Sequence, residues 1–264
     1  MKLPILLILL SVLLSTCYAA PLATPASVPA PKCKLVVRFE LYPPQAFFDE
    51  NQQWQGMDVD FAKALLNQAG CEYQFVKTPW GRGMAMLEKG EIDMMLSVSK
   101  YPEREKFAWF IGPQRQESIV LVSSASNPIT ADILYQPRRW GEPVAIQQGA
   151  YYGDKFAMMM ANDTRLNNHF IVIPDNNTKL TLLNKGRVRG VLDENWNIHY
   201  QIKHNPMFND IKVHSVEVHR NPVYFALSRA SVTPQLVAKL NKALAVLQSN
   251  GTFTAIMDKY ELAF

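Results

Sequence analysis

Several features on which whole classes of function depend are missing from this sequence. The formal net charge is only +4 over 264 residues, and the basic residues are not clustered, so a nucleic-acid partner is not expected. Neither a glycine-rich phosphate loop nor a nucleophile elbow occurs. Two histidine pairs, His199 with His204 and His214 with His219, lack the cysteine or carboxylate neighbours typical of zinc sites. We therefore predict no metal, no cofactor and no catalytic residue.

Long apolar runs are also scarce, and the clearest one stands at the start. Lys2 precedes an apolar run from Leu3 to Leu14, which is shorter than the roughly 20 residues of a membrane-spanning helix. A charged start, a short apolar run and a small residue, Ala19, are typical of a secretory leader. We expect residues 1–19 to be a cleaved signal peptide and the mature protein to be periplasmic. A lipoprotein anchored at Cys17 is the less favoured alternative, because Thr16 is larger than the residue that usually precedes a lipobox cysteine.

The segment after the leader is poor in charge and rich in proline. Residues 20–32 carry four prolines among small residues, with no charge before position 32, which predicts an extended tether. The folded body is expected to begin at residue 33. Cysteine is nearly absent from it: only Cys33 and Cys71 remain, an even pair in an oxidising compartment.

Short β-type runs alternate with helical patterns along the rest of the chain. Strands are predicted at 34–39, 71–76 and 92–96, with helices at 58–69 and 83–89 between them. After a β-rich run at 118–123 the pattern begins again. It has strands at 144–147, 170–173, 188–192, 211–216 and 224–228 and helices at 151–161, 178–185, 195–203, 233–248 and 252–260. This alternation predicts two α/β lobes, each a mostly parallel sheet flanked by helices, with a ligand cleft between them.

Polar residues stand where the predicted strands end. Ser97, Ser99 and Arg104 follow one strand, the stretch 149–151 follows another and opens a predicted helix, and Asp193 follows a third. Ligands of open α/β sheets bind at this edge. Hydroxyls, a guanidinium and a helix N-terminus suit a carboxylate, and an aspartate on the other lobe suits an ammonium. The pattern favours an amino acid or a similar small zwitterion as ligand.

The same residues give the chain a family resemblance. It resembles the family 3 periplasmic solute-binding proteins, the polar amino acid binders of ABC importers, over essentially the whole mature chain. The motifs that carry the resemblance are Tyr42-Pro43-Pro44, Gln55-Gly56-Met57-Asp58, Leu87-Glu88-Lys89-Gly90, Pro102-Glu103-Arg104, Gln147-Gln148-Gly149, Val191-Leu192-Asp193-Glu194 and Asn250-Gly251-Thr252.

The resemblance implies roles for individual residues. Arg104, assisted by Ser97 and Ser99, would hold the ligand carboxylate, Asp193 would accept from the ammonium, and Tyr42 would lie against the ligand side chain. The loop Gly149, Ala150 and Tyr151 would offer backbone amides to the carboxylate. Tyr101, Ala150, Tyr151 and Met57 depart from the residues usual in the family. The head-group site is therefore expected to be retained, while the identity of the ligand, and contacts from Glu40, Tyr101 or Glu194, stay open.

The resemblance also implies an organisation and partners. Lobe I would comprise residues 33–116 and 223–264, and lobe II residues 117–222, with closure about hinge crossings near 115–118 and 219–223. A monomer that delivers a small-molecule ligand to an inner-membrane ABC permease, or presents it to a receptor, is expected. In the family's sheet order the strands that begin at Cys33 and Cys71 are neighbours, so these cysteines are expected to form a disulfide.

Two alternatives remain on the same scaffold. Cyclohexadienyl dehydratases resemble this family and use a carboxylic acid, a role that Glu194 or Glu40 could fill. An orphan ligand sensor would differ from an importer component only in its partner surface, which leaves no local motif.

Overall fold

A computed structural model describes residues 33–130, 136 and 141–260, without the side chains of residues 167 and 214–216. The predicted leader, the tether and the Cys17 alternative lie outside the described residues. Within the described ranges, no helix is long and apolar enough to cross a bilayer.

The strands of the described chain include two that are unusually long. Their bounds are β1 (Lys34–Phe39), β2 (Phe47–Phe48), β3 (Trp54–Gln55), β4 (Glu72–Lys77), β5 (Met94–Ser99), β6 (Ala108–Ser124), β7 (Val144–Gln147), β8 (Phe170–Ile173), β9 (Gly190–Glu194) and β10 (Ile211–Ser228). The helices are α1 (Met57–Gln68), α2 (Trp80–Lys89), α3 (Pro102–Glu105), α4 (Asp154–Asn162), α5 (Asn176–Asn184), α6 (Asn195–His204), α7 (Pro234–Ser249) and α8 (Thr252–Tyr260). Short 3-10 turns cover Thr164–His169 and Pro206–Phe208.

Eight of the described strands form one sheet, in the order β4-β1-β5-β10-β6-β9-β7-β8. β1 pairs in parallel with β4 and β5, and β7 pairs in parallel with β8 and β9, as the strand–helix–strand alternation predicts. The antiparallel strands β6 and β10 run through the middle and join the two parallel groups. Because β10 pairs with β5, β6 pairs with β9, and β10 and β6 pair with each other, the two parallel groups belong to one continuous sheet.

Successive side chains of a strand point to opposite faces of the sheet, and this divides the core into layers. On β6, Ile119 and Leu121 pack with Phe156 on one face, while Val120 and Val122 pack with α5 and α6 on the other. The β4-β1-β5 group is covered in the same way, by α1, α7 and α8 on one face and α2 on the other. Each parallel group therefore has helices on both faces, and its strand ends are left free to build a site.

Three predicted helix starts are wrong, and one of them is that of α2, which is predicted at residue 83 but begins at Trp80, directly after Pro79. The helix predicted to begin at residue 151 begins at Asp154, because Tyr152 turns into the core and accepts a 2.7 Å hydrogen bond from the Gln147 amide. Gly153 then adopts a φ of 89°, a conformation that glycine tolerates best, and the helix begins at the next residue. The helix predicted from Thr178 begins two residues earlier, because the Asp175 side chain, not Thr178, caps it.

The disulfide prediction is confirmed. Cys33 and Cys71 are bonded, with Cα atoms 4.7 Å apart and a sequence separation of 38. They extend the parallel ladder of β1 and β4 by one position, beyond the pairing of Lys34 with Glu72. The bond therefore lies at the start of these strands, at the opposite end from the residues described next.

Candidate functional site

A cleft lies at the carboxyl ends of β1, β5, β7 and β9, between the two parallel groups of the sheet. It encloses about 720 Å³, including its open mouth. Of the eight ligand residues predicted from sequence, seven line it directly: Tyr42, Ser97, Ser99, Arg104, Ala150, Tyr151 and Asp193. The eighth, Gly149, contacts the cleft wall through its carbonyl oxygen, as described below.

Arg104 stands on α3 at one wall of the cleft and is 2% exposed. Its guanidinium donates to the carbonyl oxygens of Ser99, at 2.9 Å, and Gly149, at 2.8 Å. It lies over the Tyr101 ring at 4.7 Å and near the Trp80 ring at 5.9 Å. None of the ion pairs found among the described residues involves Arg104. A buried cation held only by carbonyls and rings is suited to an anionic ligand group.

Asp193 is the penultimate residue of β9, on the opposite wall. Its Oδ1 accepts hydrogen bonds, whereas its Oδ2 is buried and has an ion-pair partner but no hydrogen bond among the described residues. Oδ1 accepts from the Tyr42 hydroxyl at 2.6 Å and from the Glu194 amide at 2.9 Å. Oδ2 lies 3.2 Å from the Lys179 ammonium, which also donates to the Leu192 carbonyl at 3.1 Å. Burial and the neighbouring carboxylates of Asp193 and Glu194 raise the pKa of Tyr42 well above its ordinary value. Asp193 is therefore a junction between the two walls of the cleft.

Ser97 belongs to a buried polar network instead of pointing freely into the cleft. Its hydroxyl donates to both oxygens of Asp58, at 3.0 and 2.8 Å, and Gln114 donates to Asp58 at 2.7 Å. Arg115 in turn donates to the Ser97 hydroxyl at 3.2 Å. Burial raises the pKa of Asp58, although Arg115 and these hydrogen bonds oppose the change. Ser97 has a φ of 55°, which this network holds in place.

Glu40 and Glu194, which the sequence left open, both line the cleft with partners of their own. Glu40 pairs with Arg38 at 2.9 Å and accepts from Gln147 at 3.0 Å. Glu194 accepts from Gln45 at 2.6 Å, caps α6 through two backbone amides, and lies 3.5 Å from Arg115. Burial raises the pKa of Glu194.

The cross-wall contact from Gln45 to Glu194 depends on Gly56. Gly56 has a φ of 124°, and a Cβ there would lie 2.3 Å from the Gln45 carbonyl oxygen. Only glycine permits this close approach, which fixes the loop that carries Gln45.

Glu117 on β6 is the cleft carboxyl that differs from the rest. No hydrogen bond or ion pair joins it to another described residue, although Arg115, Glu194, Arg104 and Asp58 surround it. Burial, which Glu194 and Asp58 assist and Arg115 and Arg104 oppose, raises its pKa to about 8.

The loop at 149–151 contacts the opposite wall of the cleft. Trp80 and Arg104 both donate to the Gly149 carbonyl, at 3.1 and 2.8 Å. The Tyr151 ring stacks on Tyr101 with centroids 4.6 Å apart. Tyr101 thus contacts both Arg104 and the opposite wall.

Sequence reasoning missed Lys179, Glu117 and Arg38 in this cleft. Lys179 had a detectable signal: it stands one residue before Leu180 on a helix whose buried face also holds Asn176 and Leu183. A lysine on such a face needs a buried partner. Glu117 had none, because β6 continues through a stretch in which polar and apolar residues do not alternate.

Comparisons with known proteins agree with this fold. The putative ABC transporter arginine-binding protein 2 of Escherichia coli K12 is 27% identical over 225 residues, which cover 83% of this chain and 86% of that protein. An ancestral arginine-binding protein bound to arginine superposes with a TM-score of 0.74 at 23% identity, covering 88% of this chain and 99% of that structure.

A third likeness bears on the enzyme alternative. An ancestral amino acid-binding protein that is a precursor of cyclohexadienyl dehydratase superposes with a TM-score of 0.69 at 23% identity, covering 86% of this chain and 95% of that structure. The relatives named here are thus binding proteins, and the solved structures confirm the fold class. The model of the bacterial extracellular solute-binding proteins, family 3, matches residues 35–263, and the chain therefore belongs to that family.

Proposed function

We propose that this protein captures an amino acid or a similar small zwitterion in the cleft and delivers it to an ABC permease. Arg104 binds the ligand carboxylate, with Ser99 and the loop at 149–151 beside it. Asp193, whose buried Oδ2 has no hydrogen-bond partner among the described residues, accepts the ligand ammonium, and Tyr42 lies against the rest of the ligand. The signal peptide places the protein in the periplasm, where it acts as a monomer.

The observation that carries this proposal is the state of Arg104. It is buried in the cleft, yet its described hydrogen bonds go to two carbonyl oxygens and not to a carboxylate. A guanidinium in this position has unused donors in the fork geometry that matches a carboxylate. The relatives support amino acids as the ligand class, since the E. coli relative is named for arginine.

Closure of the two lobes, residues 33–116 with 223–264 and residues 117–222, traps the ligand. Contacts that support closure join the two walls directly: Tyr42 to Asp193, Gln45 to Glu194 and Glu40 to Gln147. The pairing of β10 with β6 changes register between Val213 and Glu217, between Glu217 and His219, and between Val223 and Phe225. Such irregularities in the two connecting strands suit a hinge.

Calorimetric titration of the twenty amino acids into the mature protein tests the proposal. For any amino acid that binds, Arg104→Ala should weaken binding at least about a hundredfold, because the ligand carboxylate loses its partner in a buried site. Arg104→Lys should recover only part, since a point charge replaces the fork. Arg82→Ala, at an exposed position of α2, is the matched control and should change nothing. Wild-type affinity in Arg104→Ala would refute this assignment.

The contacts of Glu194 favour binding over the dehydratase alternative. Its Oε2 accepts from Gln45 and from the amides of Trp196 and Asn197, and its Oε1 faces Arg115. A carboxyl committed to a helix cap and an ion pair is poorly placed to give a proton to a substrate. Incubation with prephenate or arogenate, followed by mass spectrometry, should show no turnover. Sustained product formation that Glu194→Gln abolishes would establish the enzyme instead.

A further inference from the structure

Arg38 and Glu40 form a buried ion pair in the cleft that the proposed contacts to the ligand carboxylate and ammonium do not use. Arg38 Nη2 lies 2.9 Å from Glu40 Oε1, and the two side chains are 5% and 10% exposed. Arg38 is held in place, since its Nε donates to the Thr78 carbonyl at 2.8 Å and a Cβ at Gly83 would lie only 3.0 Å from that nitrogen. Its positive charge is therefore a fixed part of the cleft beside Glu40.

Glu40 Oε1 is shared by donors from both walls of the cleft. Besides Arg38, it accepts from the side-chain amides of Gln147 at 3.0 Å and Asn176 at 3.3 Å. The side-chain cation of a ligand such as lysine or arginine would stand beside Arg38 and would find the charge of Glu40 already compensated. This part of the cleft therefore suits an uncharged group.

Two buried atoms around Glu40 Oε1 have no hydrogen bond among the described residues. Asn176 is 5% exposed, and its amide nitrogen faces Glu40, which identifies Oδ1 as the other end of the side chain. This Oδ1 is one of the two atoms. The other is Arg38 Nη2, which is close to Glu40 but does not meet it in hydrogen-bond geometry. One acceptor and one donor are therefore unused, and burial makes it costly to leave them so.

Trp80 connects this pair to the residue proposed to bind the ligand carboxylate. Its ring lies 5.3 Å from the Arg38 guanidinium and 5.9 Å from that of Arg104. All three residues line the cleft. A ligand whose carboxylate is held by Arg104 can therefore extend its side chain along the indole toward Arg38.

Asn176 is connected in a similar way to the residue proposed to bind the ligand ammonium. It precedes Lys179 by three positions on α5, so the two side chains share a face of the helix, and both are buried. The Lys179 ammonium in turn lies 3.2 Å from Asp193 Oδ2. The two unused atoms thus belong to side chains that adjoin both ends of the ligand head group.

We infer that the ligand is an amino acid whose side chain ends in a carboxamide, glutamine or asparagine, and that Arg38 and Asn176 select it. The assignment rests on the proposed function and specifies the ligand class of the same site. The carboxamide nitrogen donates to Asn176 Oδ1, and the carboxamide oxygen accepts from Arg38 Nη2. A side-chain carboxylate offers no donor to Asn176 and adds a negative charge beside Glu40, and an apolar side chain leaves both atoms unpaired.

Calorimetric titration of the wild-type mature protein with matched amino acids tests the ligand class. Glutamine is compared with glutamate, methionine and arginine, and asparagine with aspartate, leucine and arginine, so that each carboxamide has an acidic and an apolar counterpart of similar size. One carboxamide should bind at least tenfold more tightly than its counterparts. A smaller preference, or tighter binding of any other amino acid, would overturn the inference while amino acid capture stands. If none of the twenty amino acids binds, the proposed function itself fails, and the inference fails with it.

Asn176→Leu tests the acceptor, because it keeps the size of the side chain and removes Oδ1. It should weaken binding of the preferred carboxamide at least tenfold and remove most of its preference over the apolar counterpart, a change in specificity that a loss of folding would not produce. Asn177→Leu, at the exposed neighbouring position of α5, is the matched control and should bind as wild type does. An unchanged preference in Asn176→Leu would refute the role of Asn176.

Arg38→Met tests the donor and the charge. Glu40 would lose its compensating cation, so the affinity for arginine relative to the preferred carboxamide should rise at least tenfold. Arg38→Met combined with Glu40→Gln removes both charges, and should weaken carboxamide binding at least tenfold without admitting arginine. Arg82→Met, at an exposed position of α2, is the matched control. Wild-type preferences in either Arg38 variant would show that Arg38 does not select the ligand.

Discussion

The hydroxyl of Tyr42 donates a 2.6 Å hydrogen bond to Asp193 Oδ1, joining residues 151 positions apart across the cleft. Asp193 is also held by Lys179, so one carboxylate links the loop after β1 to helix α5. Under the proposed lobe closure, this contact would form only when the two walls come together. Tyr42 would then support closure whichever ligand is bound.

Removal of that hydroxyl should weaken ligand capture. In Tyr42→Phe the aromatic ring remains, but a hydrogen bond to a charged acceptor, of about 1.5–3 kcal/mol, is lost from the closed form. Affinity for an amino acid identified in the screen should fall by about tenfold or more, measured by calorimetry. Tyr73→Phe, in β4 and remote from the cleft, is the matched control. Equal affinities for Tyr42→Phe and wild type would show that the bond does not stabilise the closed form.

The rings of Tyr101 and Tyr151 stack across the cleft, with centroids 4.6 Å apart. One ring comes from the segment before α3 and the other from the loop after β7, so the stack must separate when the ligand leaves. Replacement of either ring by leucine should speed ligand dissociation in stopped-flow experiments. A double-mutant cycle should give a coupling of about 0.5–1.5 kcal/mol. Additive effects of the two replacements would mean that the rings contact each other without stabilising closure.

Much of the scaffold of this site could be predicted from the sequence, because local signals determine it. Apolar runs flanked by turn residues gave β1, β7 and β8 with their observed bounds, and Thr233 with Pro234 gave the start of α7. The polar residues at strand ends, Arg104 and Asp193 among them, line the cleft because parallel strands end at a common edge.

The contacts between side chains within the site could not be predicted in the same way. The pairing of Asp193 with Lys179 and Tyr42 depends on how α5 and the loop after β1 meet β9, which are contacts between segments distant in sequence. The length of β6 and β10 was also missed. Their central stretches contain polar residues and irregular register, so neither strand shows a continuous period of two.

Glu117 should make the stability of the ligand-free protein depend on pH. Its folded-state pKa of about 8 lies above the ordinary glutamate value of 4.5, so between these pH values the folded state binds more protons than the unfolded state. Stability from this group is therefore lost as pH rises through that window, at about 1.4 kcal/mol per pH unit at most. Glu117→Gln should raise the melting temperature more at pH 8.5 than at pH 5.

The exposed Glu103→Gln serves as control for that comparison and should show no widening difference with pH. If Glu117→Gln and wild type differed equally at both pH values, the Glu117 carboxyl would not be protonated in the empty cleft. The pH dependence of stability would then have to come from groups other than Glu117.

The disulfide between Cys33 and Cys71 should stabilise the fold without changing ligand affinity. It joins the starts of β1 and β4, whereas the cleft lies at their ends, and it closes a loop with a sequence separation of 38. Chain entropy for a loop of this length suggests a stabilisation of about 4 kcal/mol. Thiol titration of denatured, unreduced mature protein should find no free thiol, and reduction should lower the melting temperature while the calorimetric dissociation constant stays within twofold. Two free thiols per chain would refute the bond in the secreted protein, and a large loss of affinity on reduction would show that the far end of the sheet is coupled to the cleft.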